Sequence, residues 1–100
     1  MTLQDLRYLV AVVDTGTFSA AAASCFVTQP TLSTQLKRLE QSLGITLFER
    51  TTKRVAITKI GEQIAERARQ VLAECDDIRE LSRASQDPFA EPFRVGIIST

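Results

Sequence analysis

The residues best able to do chemistry in this chain lie between Thr28 and Arg54, and they suit gripping a polyanion rather than breaking bonds. Thr28, Gln29, Pro30, Thr31, Ser33, Thr34, Lys37, Arg38 and Gln41 supply hydroxyls, carboxamides and two adjacent cations, with Glu40 the only acid among them. Hydroxyls and amides donate to phosphate oxygens or base edges, and cations serve phosphates or guanine edges. A second group, Arg50, Thr51, Thr52, Lys53 and Arg54, repeats that composition a short way downstream. Bond-making chemistry lacks its usual residues. There is no histidine, no glycine-rich phosphate loop and no acid cluster at ligand spacing, so neither enzyme activity nor a cofactor is expected. Cys25 and Cys75 stand fifty positions apart without Cys-x-x-Cys spacing, so no metal is expected and each thiol reads as a small core or interface residue.

A helix must present the first group. At about 100° per residue, Leu32, Leu36, Leu39 and Leu43 fall within one arc and predict a buried stripe. Pro30, Thr34, Lys37, Arg38 and Gln41 then point the other way, with Thr31 and Ser33 flanking them. Thr28 suits the N-cap, and Pro30 is tolerated in a first turn whose amides lack intrahelical partners. The remaining free N–H groups and the helix dipole favour an anion at this end, where Gln29 can reach a base edge. Taken singly, Thr28 and Gln29 would serve equally well to cap and solvate a surface helix. The whole face points to DNA.

The preceding residues supply a platform. Leu3, Leu6, Leu9, Val10 and Val13 recur at helical spacing, Thr2 and Asp5 form a capping box, and Gly16 ends that helix. Thr17 caps a second helix with Phe18, Ala21, Ala22 and Cys25 facing inward, and its four consecutive alanines allow a close crossing over the next helix. Phe26 and Val27 are expected to plug the turn into the core. After Gly44, Ile45 to Glu49 and Arg54 to Ile57 read as two short strands. Their tip carries Arg50, Thr51 and Lys53, with Arg54 just behind, and such a tip can lie along a phosphate strand or in a minor groove. The fold class is therefore mainly α: a winged helix-turn-helix of three helices plus a two-stranded wing, followed by a long dimerisation or linker helix.

Thr58 opens that long helix, expected from Lys59 to about Ser85 and spanning roughly 40 Å. Ile64, Ala68, Val71, Cys75 and Ile78 alternate spacings of four and three, with Leu72 and Leu81 beside the seam. This stripe exceeds what a small domain can cover, so it is expected to pair with the same helix of a second chain. The alternative is that it folds back over its own domain. Residues 87–92 contain two prolines and read as a linker, and 93–100 read as a strand that opens another domain. The resulting division is 1–58 for the winged helix-turn-helix, 59–86 for the linker helix, and 87–100 for a linker and the first strand of another, truncated domain.

Charge supports this division. Twelve basic and twelve acidic side chains cancel overall, yet residues 1–59 carry seven bases against four acids and residues 60–100 carry five against eight. The basic excess gathers between Lys37 and Lys59, where a DNA surface would need it. Neither a run of roughly 18 apolar residues nor a basic-then-apolar leader is present, so a cytoplasmic location without membrane contact is expected. A winged-helix protein interaction module without DNA binding is the alternative function, and the overall charge balance is its best support.

With these motifs placed, the chain resembles the N-terminal part of LysR-type transcriptional regulators. The likeness rests on LRYLVAVVDTGTFSAAAA, FVTQPTLSTQLKRLEQSLGITLFER and the TKIGE that opens the linker helix. Within that family, SCFVTQPTLS and ERTTKRV look nearest to the peroxide-responsive, OxyR-like subgroup, which implies a role in the oxidative-stress response. The resemblance places Gln29, Pro30, Thr31, Ser33, Thr34 and Lys37 at recognition positions and Arg50, Thr51 and Arg54 in the wing. It implies homodimers joined through the linker helices, tetramers in the full-length protein, and interrupted palindromes in double-stranded operator DNA. It also implies that the truncated domain begun within 87–100 is effector-binding. RNA polymerase is a further candidate partner, and Thr100 falls where an effector pocket begins in such proteins.

Overall fold

Threonines open every helix among the described residues, and glycines close two of them. The computed structural model describes residues 1–50 and 55–86. In chain order these form α1 (Leu3–Thr15), α2 (Phe18–Ser24), α3 (Gln29–Leu43), β1 (Phe48–Arg50), β2 (Val55–Ile57) and α4 (Lys59–Gln86). The Thr2 hydroxyl accepts from the Asp5 N–H at 3.2 Å while the Asp5 carboxylate accepts from the Thr2 N–H at 3.0 Å, so two free amides of α1 are satisfied reciprocally. Gly16 and Gly44 end α1 and α3 at φ of 84° and 69°, a left-handed geometry that glycine adopts without steric cost.

The three short helices enclose one core. Leu32, Leu36 and Leu39 of α3 are buried, as their spacing predicts, and Leu43 at the helix end is half-buried. Phe18, Ala21 and Ala22 of α2 are buried and Cys25 is half-buried. On α1 the buried face runs through Leu6, Tyr8, Leu9 and Val12, whereas Leu3 is exposed and Val10 and Val13 are half-buried. That rotation from the expected stripe follows from α1 packing against α2, α3 and α4 at once, which broadens its inward arc toward Tyr8 and Val12.

Phe26 departs further from expectation. It has φ of 59° and is 95% exposed, so it does not plug the turn. The amides of Phe26 and Val27 bond back to Ala23 and Ala22, and the left-handed residue between those bonds swings its side chain out while Val27 packs on the core.

β1 and β2 pair antiparallel, with Phe48 opposite Ile57, Glu49 opposite Ala56 and Arg50 opposite Val55. The first strand starts later than the Ile45 expected, because Glu40 of α3 takes the Leu47 N–H at 2.7 Å and the Phe48 N–H at 3.3 Å. The Thr58 hydroxyl accepts from the Gly61 N–H at 3.0 Å and donates to the Thr46 carbonyl at 2.7 Å, so one side chain both caps α4 and ties it to the segment before β1. Gly61 is buried against that segment, and Ala65 and Ala68 continue the contact into the core. Beyond them α4 runs clear of the domain, giving overall extents of 58 × 26 × 18 Å.

Candidate nucleic-acid interface

The face of α3 opposite its leucines is open. Thr28, Gln29, Pro30, Thr31, Thr34, Lys37, Arg38 and Gln41 are exposed, while Ser33 sits half-buried on the flank. The Thr28 hydroxyl accepts from the Thr31 N–H at 3.3 Å and donates to Thr31 Oγ1 at 2.8 Å. Thr28 is thus committed to capping, and its proton occupies the neighbouring oxygen. The Thr31 hydroxyl hydrogen is left to donate outward, beside the amides of the first turn, which is the arrangement an anionic oxygen requires.

The wing base is more constrained than the face. Arg50 Nη2 lies 3.5 Å from Glu40 Oε1, and its guanidinium stands 5.2 Å from the centroid of the Phe18 ring. Phe18 in turn meets Phe48 edge-on, with centroids 5.7 Å apart and planes at 88°. A guanidinium over an aromatic face is attracted by the ring quadrupole, so Arg50 is braced from two sides. Lys37, Gln41 and Arg50 rim an open groove of about 650 Å³ between α3 and β1, with Glu40 among its lining residues. The sequence reading did not recognise Glu40, Phe18 and Phe48 as organisers of this region. The available signal was the isolation of Glu40, a single acid on a helix face rich in hydroxyls and bases. Thr51, Lys53 and Arg54 lie outside the described residues, as does Thr100.

The stripe on α4 divides at Ala68. Ala68 is only 2% exposed and belongs to the core of its own chain, which removes it from the surface expected to meet a second chain; Ile64 is half-buried against the same core. Val71 is exposed, Leu72 and Cys75 are half-buried, and Ile78 and Leu81 stand 64% and 68% exposed. A cavity of about 230 Å³ opens where the two parts meet, lined by Met1, Leu6, Leu43, Ile64, Arg67, Ala68 and Val71. α4 thus packs on its own domain as far as Ala68, while Val71, Ile78 and Leu81 beyond it are exposed in the single chain.

Residues 3–62 match the family described as bacterial regulatory helix-turn-helix protein, lysR family. The chain belongs to the LysR family. This LysR-family chain is 41% identical over 100 residues to the hydrogen peroxide-inducible genes activator of Pectobacterium carotovorum subsp. carotovorum, covering 100% of the chain and 33% of that relative. It spans about a third of the length of the curated relatives it matches. A full-length OxyR from Pseudomonas aeruginosa superposes with a TM-score of 0.84 at 44% identity, over 87% of this chain and 30% of that one. The BenM DNA-binding domain in complex with benA site 1 DNA superposes with a TM-score of 0.80 at 37% identity, over 87% of this chain and 100% of the other. The winged helix-turn-helix with a long following helix, expected from the sequence, is the LysR-family fold found here.

Proposed function

We propose that this chain is the DNA-binding and dimerisation region of a bacterial transcription regulator acting on double-stranded operator DNA in the cytoplasm. The observation that carries the reading is the outward face of α3, where Gln29, Pro30, Thr31 and Thr34 are exposed without any acid among them and Lys37 and Arg38 follow one turn on. In this reading the first turns of α3 enter the major groove, with Ser33 contributing from the flank. Lys37 and Arg38 meet phosphates, and Arg50, Thr51, Lys53 and Arg54 serve the flanking backbone. Likeness to a domain that binds DNA, and the open hydroxyl-bearing start of the helix, support the same reading. No structural observation favours the interaction module without DNA.

Val71, Leu72, Cys75 and Ile78 would join two such chains, placing two recognition helices on an interrupted palindrome, and full-length protein would form tetramers. The division into 1–58, 59–86 and 87–100 fits this assignment, with Thr100 at the start of an effector-binding domain and RNA polymerase as the partner at a promoter. Identity of about 40% to hydrogen peroxide-inducible activators supports a peroxide-linked programme. In vitro selection of bound duplexes, followed by titration at two salt concentrations, tests the core of the reading. Lys37→Ala and Arg38→Ala should weaken binding to every sequence and flatten the salt slope. If neither variant changes affinity for the selected duplex, this face of α3 is not the DNA surface.

A further inference from the structure

Glu40 is the acid that a DNA-facing helix would be expected to avoid, and its surroundings explain its presence. The carboxylate is 14% exposed and turned inward. One oxygen accepts from the amides of Leu47 and Phe48, and the other meets Arg50. With these donors around it, the negative charge is compensated rather than presented to a duplex. Those two amides lead directly into β1, so the carboxylate fixes the point at which the wing departs from α3. Arg50 then carries the linkage on to Phe18 at the start of α2. One side chain thereby joins both helices of the helix-turn-helix to the strand that supports the wing.

Two contact patches on one protein add their affinities only when geometry lets both engage together. We propose that Glu40 is a positioning residue that holds the wing at a fixed reach from α3, so that the wing's share of DNA affinity passes through it. The proposal rests on the DNA-binding reading and deepens it. Glu40 itself touches no nucleotide. Its removal leaves the base preferences of α3 in place and uncouples the wing.

A double-mutant cycle on the selected duplex decides the matter, with dissociation constants measured for wild type, Glu40→Ala, Arg54→Ala and the double variant. Arg54→Ala should weaken wild type about tenfold, the scale of one charged contact. In the Glu40→Ala background the same change should cost less than about twofold. Glu40→Gln keeps one oxygen as acceptor for both amides and loses the charge that meets Arg50, so the cost of Arg54→Ala there should fall between the two. Should Glu40→Ala fail to fold by circular dichroism, the cycle run with Glu40→Gln decides. An equal cost of Arg54→Ala in all backgrounds overturns the proposal, because a fold defect would lower the active fraction without touching the wing term. Lys53→Ala is the parallel probe, and if neither wing variant weakens wild type, the proposal also fails. Failure of wild type to bind any duplex would instead remove the DNA reading beneath it.

Discussion

Asp14 and Arg69, 55 positions apart, close the corner between the end of α1 and the middle of α4, with Arg69 Nη1 3.2 Å from Asp14 Oδ2 and the second nitrogen on Oδ1. The hydrogen bond to Asp14 is the main reason that the Arg69 guanidinium is held above its ordinary pKa. A raised basic pKa stabilises the fold at every pH below the unfolded value and loses that effect only as pH rises through the folded one. The window lies above the ordinary guanidinium range, so rising pH should not break this contact under working conditions. Both side chains are largely in water, which limits the gain. Arg69→Gln should cost less than about 1 kcal/mol, and 1 M salt should erase most of the difference. Urea denaturation at two ionic strengths measures both.

Phe26 is expected to yield the reverse of an ordinary aromatic deletion. A bulky residue at φ of 59° bears backbone strain, and at 95% exposure it gives little burial in return. Phe26→Gly or Phe26→Asn should raise stability by about 1 kcal/mol, read as a higher denaturation midpoint with an unchanged slope. A loss of stability would mean that the ring is packed.

Gly61 should resist the change that most helices welcome. A Cβ there would run into the Leu47 carbonyl oxygen and lie 2.9 Å from Ile57 Cγ1. Helix propensity alone favours alanine by about 1 kcal/mol. The backbone carbonyl cannot step aside cheaply, so Gly61→Ala should destabilise by about 1–3 kcal/mol and loosen the start of α4. Thermal melts compared with Ala73→Gly, on the exposed part of α4, separate crowding from propensity.

Ile78 tests the assembly. Ile78→Asp, at a position 64% exposed in the single chain, should leave the monomer fold intact and convert a dimer to monomers in sedimentation equilibrium. An unchanged mass would place the dimer contact elsewhere.

The legible parts of this fold are those whose causes are local. Thr2, Thr17 and Thr28 announce helix starts because capping is settled within three residues, and Leu32, Leu36 and Leu39 announce a buried face because helical period alone brings them together. Phe26 misleads since apolar character suggests burial, while a left-handed turn residue points outward whatever its identity. Ala68 misleads because periodicity shows a stripe without showing where the domain beneath it ends. Glu40 stayed hidden for a third reason. Its partners lie seven and eight positions on, across the Gly44 turn, and only the path of the chain brings them within reach.

The continuity of α4 has a mechanical consequence. Its first turns are fastened to the domain at Gly61, Ala65 and Ala68, and it proceeds unbroken to Gln86. A rod of that length measures about 42 Å, so a tilt of about 5° applied at the far end displaces the near end by roughly 3–4 Å, close to the rise of one base step. A small push at Gln86 would thus be felt at α3, which is fastened to the near end of the helix, as a shift of that size.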